Sequence, residues 1–293
     1  MGRAYKVVDA FSSRPFLGNP VAVVLDAEGL DAAAMQALAR WTNLSETTFV
    51  LPPTAPGADY RLRIFTPRAE LPFAGHPTLG TAHAMLEAGR ATPRAGRLVQ
   101  ECGVGLVGLS VEGEGPARRL TLDLPPARVT PLPPAEAAAL EALLGHPLDP
   151  RATPAIVDIG AVWAVAPLAD AAAVLRLEPD LARSAAFERR HGLTGVTVFG
   201  PRGAEAGKDG AIEVRSFAPS SGIEEDPVCG SGNGAVAVFR REAGLLPPGG
   251  AAYQATQGRR VGRDGQVAVR VDAEGRVSLG GACVTCVDGT LAA

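Results

Sequence analysis

Apolar and polar positions alternate with a period of two over several short stretches of the chain and recur with a period near 3.6 over longer ones. Ala4 to Ala10 and Ala22 to Leu25 read as strands, joined by a loop that holds Pro15, Gly18, Asn19 and Pro20. Asp31 to Trp41 reads as a helix with Asp31 as its cap. Thr47 to Leu51 and Arg61 to Thr66 alternate like strands again. A helix beginning near Pro77, a residue suited to a first helical position, carries Leu79, Ala82, Met85 and Leu86 and stops at Gly89. Strands at Leu98 to Gln100, Gly105 to Val111 and Arg119 to Leu124 follow. The Pro-rich stretch from Leu124 to Pro134 reads as a linker, and Ala135 to Leu144 as a surface helix that opens a second lobe. Gly200 to Gly210 reads as an exposed polar loop. A helix from about Gly232 to Ala243 is apolar on nearly all sides at its start, as suits a helix surrounded by sheet. Val277, Leu279, Val284 and Val287 mark strand near the end of the chain.

One segment of this pattern occurs twice. Leu62-Arg63-Ile64-Phe65-Thr66-Pro67 leads into Phe73-Ala74-Gly75-His76-Pro77-Thr78, and Val214-Arg215-Ser216-Phe217-Ala218-Pro219 leads into Val228-Cys229-Gly230-Ser231-Gly232-Asn233. Each copy reads strand, loop, Gly turn, helix. The expectation is two lobes related by a pseudo-twofold, residues 1–126 and 127–276, with a strand at about 277–293 returning to the first. Each lobe would aim a helix N-terminus, with its free N–H groups and positive dipole end, at a shared cleft that suits a small anion. The repeat extends to Leu44-Ser45-Glu46-Thr47 against Leu193-Thr194-Gly195-Val196. Glu46 has no acid opposite it in the second copy, so a lone carboxylate is left as a candidate general acid/base.

Charge and cysteine usage narrow the classes. The 293 residues carry a net charge of −3 without a basic run, which removes the electrostatic ground for a nucleic-acid partner. There is no stretch of about 18 apolar residues and no leader-like start, and the expectation is a cytoplasmic protein without membrane association. Cys283 and Cys286 lie three apart on a strand and point to opposite faces, which disfavours joint metal binding, and Cys102 reads as a small buried apolar residue.

Asp9-Ala10-Phe11 with Pro15-Phe16-Leu17-Gly18-Asn19-Pro20, Asn43-Leu44-Ser45-Glu46-Thr47, Phe65-Thr66-Pro67 with Glu70 through Gly80, and Asp226-Pro227-Val228-Cys229-Gly230-Ser231-Gly232 together resemble the phenazine-biosynthesis PhzF-like family. These motifs span nearly the whole chain, in order. The resemblance implies an α+β, diaminopimelate-epimerase-like fold: two pseudo-symmetric lobes, each a curled, mostly antiparallel sheet around a central helix. It implies a homodimer and an isomerase that moves a proton along a small amino- or hydroxy-carboxylate, with trans-2,3-dihydro-3-hydroxyanthranilate as a candidate substrate. By the same resemblance Glu46 is the general acid/base, and His76, Asp226 and Ser231 belong to its site. No metal, nucleotide or organic cofactor is implied, and the partner is a small anionic or zwitterionic metabolite.

The residues themselves add conditions to those roles. A Glu at its ordinary pKa is a weak acid catalyst at neutral pH, so burial must raise it, and Phe49 and Phe73 are the expected apolar neighbours. Asp226 would hold the substrate's amino group or orient His76, whereas Glu224 and Glu225 read as ordinary loop acids. Ser231, the N–H groups of Gly75 and Gly230, and Asn19 would bind the substrate. Cys229 stands where related epimerases place one of two catalytic thiols, with Ala74 at the partner position, and two readings are open for it: a thiol whose pKa the helix start lowers, or one that simply packs. Two other readings stay open: an amino-acid epimerase or racemase pairing Cys229 with Glu46, and a non-catalytic carboxylate-binding protein.

Overall fold

The period-two stretches fold as strands and the 3.6-period stretches as helices in the computed structural model, which describes residues 2–203 and 211–292. The chain divides into two units, Met1–Leu122 with Gly280–Ala293, and Asp123–Leu279. In chain order the first holds β1 (Gly2–Ala10), β2 (Asn19–Val24), α1 (Ala32–Thr42), β3 (Thr47–Leu51), β4 (Tyr60–Phe65), β5 (Glu70–Leu71), α2 (Gly75–Glu87), β6 (Arg97–Cys102), β7 (Gly105–Glu112) and β8 (Arg119–Asp123). The second holds β9 (Arg128–Pro131), α3 (Pro134–Leu144), β10 (Ala155–Asp158), β11 (Val162–Pro167), α4 (Ala171–Arg176), α5 (Leu181–His191), β12 (Gly195–Pro201), β13 (Ile212–Ala218), β14 (Ile223–Asp226), α6 (Gly230–Glu242), β15 (Ala251–Gln257), β16 (Gly265–Val271) and β17 (Val277–Gly281). The last strand, β18 (Cys283–Ala292), pairs antiparallel with β1 in the first unit.

Strand pairing repeats between the units. In the first, β1 to β4 run in order with β2 and β3 parallel, and β6 lies parallel to β4. In the second, β10 to β13 run in order with β11 and β12 parallel, and β15 lies parallel to β13. All other named pairs above are antiparallel. A parallel pair needs a crossover, and helices supply it each time: α1 and then α2 in the first unit, α4 with α5 and then α6 in the second.

The crossover helices differ in burial because they differ in composition. Helix α1 is amphipathic, starts at Asp31, whose carboxylate accepts from the Ala34 N–H at 2.8 Å, and ends at Asn43 in the left-handed region. It buries Met35 and Ala39 against Val24, Phe49 and Phe65. Helix α2 is buried continuously from His76 to Met85, and α6 from Gly232 to Arg240, so each sits inside its own unit's sheet. Cutting the fully buried Leu79 of α2 to Ala would cost roughly 2–5 kcal/mol in lost transfer energy and cavity.

Several expectations need correction. Both central helices begin two residues earlier than read, at Gly75 and Gly230, so Pro77 occupies the third helical position and His76 and Ser231 the second. Residues 128–131 of the Pro-rich stretch are not linker: they form β9, which pairs with β10 and extends the second sheet. Strand β2 starts at Asn19, and Pro20 is tolerated there because the pairing with β3 begins only at Ala22. The surface helix α3 buries Leu140, Leu143 and Leu144 into the second unit's core. Cys102 is half-buried at the end of β6, not a core residue. Of the expected 200–210 loop, Gly200 and Pro201 belong to β12, and residues 204–210 lie outside the described residues. No helix among the described residues is long and apolar enough to cross a membrane.

Candidate active site

Glu46 stands at the point where the chain leaves α1 and becomes β3. Asn43 ends the helix with φ 53°, three residues turn the chain, and the Glu46 carbonyl accepts from the Ala22 N–H of β2 at 3.3 Å. Two residues on, the Thr48 hydroxyl lies 2.9 Å from the Thr81 hydroxyl of α2, both fully buried. That bond pins β3 to the helix carrying His76. Gly80 permits the close approach: a Cβ there would collide with the Val21 side chain of β2.

The consequence is a tight polar group within the first unit. Glu46 Oε2 lies 3.2 Å from His76 Nε2, with the two side chains 12% and 8% exposed. On the far side of the imidazole, the Asn19 amide nitrogen lies 3.4 Å from Nδ1. An amide N–H donating into Nδ1 leaves the ring proton of a neutral imidazole on Nε2, the atom that faces the carboxylate. Burial pushes the Glu46 carboxyl up to about 7, against a smaller opposing effect of the Ser45 hydrogen bond. A carboxyl that is half-ionised near neutrality can both take and return a proton. The expected neighbour Phe49 lies instead beneath α1, edge-on to Phe65 at 5.5 Å.

Asn19 is presented by an unusual loop. Phe11 and Phe16 adopt φ of 63° and 68°, two of the four non-glycine residues in the left-handed region among the described residues. Such backbone costs on the order of 1–3 kcal/mol per residue and persists only where surroundings enforce it. Here the Asp9 carboxylate accepts from the Gly18 N–H at 3.0 Å, closing the loop one residue before Asn19.

The second unit builds a different group around the start of α6. Asp226 ends β14, and its Oδ1 accepts from the Val228 N–H at 3.0 Å. Cys229 caps the helix, its sulfur accepting from the Gly232 N–H at 3.2 Å. Ser231 Oγ lies 3.5 Å from that sulfur and accepts from the Trp163 indole N–H at 3.1 Å. Gln257 of β15 binds the turn from below: its oxygen accepts from the Cys229 N–H at 3.1 Å and the Asn233 amide at 2.8 Å, and its amide donates to the Asp226 carbonyl at 2.9 Å. Gly75, Gly230 and Ser231 each stand within the first two residues of their helices, where backbone N–H groups lack intrahelical partners.

Two readings of the second group change. Burial, reinforced by the Asp226 charge, pushes the Cys229 thiol well up, so the helix start does not yield a low-pKa thiolate. Glu225 is no ordinary loop acid: it forms a two-pronged ion pair with Arg215 at 3.0 and 2.7 Å, the side chains 10% and 5% exposed. Trp163, Gln257, Asn233 and the Thr48–Thr81 pair escaped the sequence reading, because each acts through a partner distant along the chain. The duplicated pattern held one signal for Trp163: Gly195, where the other copy has Glu46, implies that something fills the space.

Residues 8–289 match the family model described as phenazine biosynthesis-like protein. Among curated proteins, antisense-enhancing sequence 1 of Schizosaccharomyces pombe is 41% identical over 98% of this chain and 97% of its own. The trans-2,3-dihydro-3-hydroxyanthranilate isomerase of Pseudomonas aeruginosa is 37% identical over 94% of this chain and 92% of its own. Among solved structures, a PhzF-family phenazine biosynthesis protein of Bacillus anthracis superposes over the full length of both chains with a TM-score of 0.87 at 23% identity. A hydroxyproline epimerase of Agrobacterium vitis shares the fold, with a TM-score of 0.64 at 15% identity over 99% of this chain and 92% of its own.

Proposed function

The chain belongs to the phenazine biosynthesis-like protein family, whose relatives include named isomerases, and we propose that it moves a proton within a small amino- or hydroxy-carboxylate using Glu46 as the general acid/base. The observation that carries this reading is the Glu46 carboxyl, held about 3 Å from the His76 ring and pushed by burial to a pKa of about 7. A carboxyl so buried is costly to keep in a fold, and strongly perturbed groups of this kind cluster at functional sites.

Each candidate takes a role suited to its chemistry. Glu46 removes a proton from an acidified C–H and returns it to another carbon of the same conjugated system, so no proton is gained or lost overall. His76, held by Asn19, presents an N–H that stabilises the carboxylate when it is ionised and tolerates its neutral form afterwards. In the second unit Ser231 and the helix-start N–H of Gly230 suit a substrate carboxylate and Asp226 an amino group, and in the first unit the helix-start N–H of Gly75 suits an anion in the same way. The name and 37% identity of the Pseudomonas aeruginosa relative support trans-2,3-dihydro-3-hydroxyanthranilate as the substrate to try first. A soluble homodimer is proposed with it.

The test is NMR in D₂O with that compound and a panel of small cyclic amino acids. The wild-type protein should exchange one substrate C–H for deuterium or isomerise the compound, and Glu46→Gln should do neither while still binding it. Saturable binding without exchange by the wild type would refute proton transfer and leave a carboxylate-binding protein.

A further inference from the structure

We propose that Trp163 is a positioning residue that fixes the Ser231 hydroxyl as a hydrogen-bond donor to the substrate carboxylate. The inference rests on the reading in which Ser231 receives that carboxylate, and it goes further by saying why this serine discriminates between ligand groups.

Trp163 of β11 is 2% exposed, and its Nε1–H reaches Ser231 Oγ at 3.1 Å. An indole N–H carries one hydrogen and cannot accept, so the serine oxygen must accept in this bond. A serine hydroxyl has one proton and two lone pairs, and one lone pair is therefore committed. Its other described contact is Cys229 Sγ at 3.5 Å, a weak acceptor that already receives the Gly232 N–H. The serine proton is thus easily diverted to a better acceptor, and a carboxylate oxygen is one. A ligand group that only donates, such as an ammonium, finds one lone pair already taken.

Trp163 also decides what the second unit lacks. It pairs in register with Gly195 of β12, the position that matches Glu46 in the repeated pattern. A Cβ on Gly195 would lie 2.7 Å from the indole Cζ3 and would collide with the Phe217 carbonyl oxygen. The Phe217 carbonyl and the indole together leave no room there for a second acid, and the indole from that position orders the hydroxyl. One side chain commits this helix start to binding instead of proton transfer.

Tryptophan makes the proposal measurable, because the chain has only Trp41, 74% exposed, and Trp163. In Trp41→Phe a single indole N–H resonance should remain, shifted downfield by its hydrogen bond and slow to exchange, and Ser231→Ala should move it to the position of a free indole. With trans-2,3-dihydro-3-hydroxyanthranilate as probe, Trp163→Phe should raise KM about fivefold, the worth of one neutral hydrogen bond, with kcat within about twofold. Ser231→Ala should raise KM at least as much, and Trp163→Phe with Ser231→Ala should be no worse than Ser231→Ala alone, since the indole acts through the hydroxyl.

An unchanged KM in Trp163→Phe, or effects that multiply in the double variant, would overturn the proposal. An indole resonance indifferent to Ser231→Ala would overturn it even where Trp163→Phe fails to fold. If the wild type neither binds nor turns over any carboxylate of the panel, the functional reading itself falls and takes this role with it.

Discussion

At the start of α2 the second helical residue is His76 and the residue before the helix is Ala74; at the start of α6 they are Ser231 and Cys229. The strand that follows the first crossover opens beside Glu46 in the first unit and on Gly195 in the second. The backbones repeat, down to the parallel pairs and the helix register, yet burial brings the Glu46 carboxyl of the first group to about 7 and pushes the Cys229 thiol of the second well up. Duplication therefore preserves the scaffold without preserving the chemistry. What separates the two is space: in the second unit the Phe217 carbonyl and the Trp163 indole leave no room for a side chain at Gly195.

The largest expected effect removes the titrating member of the comparison. Glu46→Gln keeps the shape and should lower turnover by about 10²–10⁴, the usual share of general acid/base catalysis, while ligand binding survives. In the wild type, kcat/KM should fall as pH drops through about 7, because the free enzyme then loses the ionised base. The same group sets a stability signature of opposite sense. Its folded pKa is raised from 4.5 to about 7, so folding binds a proton between those values; the contribution is fully present below about 4.5 and is lost as pH rises through 7. That difference corresponds to about 3 kcal/mol. Glu46→Gln should therefore be more stable than wild type at pH 8 by up to this amount, and the gap should close near pH 4. Equal denaturant midpoints at both pH values would mean that Glu46 titrates normally.

Next in size is the mirror experiment in the second unit. Gly195→Ala places a Cβ against the Trp163 ring and the Phe217 carbonyl, both in packed sheet, and should cost about 1–3 kcal/mol or more. The opposite position, Glu46→Ala, removes a buried polar group without overpacking and should be tolerated structurally. Thermal melts of the two variants would test whether the absence of an acid in the second unit is a steric fact or an accident of sequence.

Much of this asymmetry is legible in the amino-acid sequence. The strand and helix assignments, the doubled motif, the single acid at Glu46 and the His76 and Ser231 pairing by position all follow from local pattern, which depends on neighbours in sequence. The contacts that give those residues their properties do not. The burial that raises Glu46 depends on α2 closing over β3 through Thr48 and Thr81, residues 33 apart. Gln257 lies 28 residues from the Cys229 it holds, and Trp163 68 from Ser231. The start of α2 lies two residues before Pro77 for a local reason: Pro is compatible with the first turn as a whole and does not single out its first residue.

Cys229 gives the smallest expected effect and the sharpest check on the second group. Its position invites comparison with the paired thiols of related epimerases, but its sulfur accepts the Gly232 N–H at 3.2 Å and burial holds the thiol protonated. A side chain in that state works as a helix cap. Cys229→Ser supplies a better acceptor of nearly the same size and should leave stability and turnover within about twofold, whereas Cys229→Ala removes the cap and should cost about 1 kcal/mol. The Ala variant should keep its kcat, because no proton of the substrate passes through the sulfur, and any rise in KM should be modest, reflecting loosened support for Ser231. A kcat that collapses in both variants, with melting temperature unchanged in the Ser form, would instead make the thiol a second acid/base and restore a two-base chemistry to the duplicated scaffold.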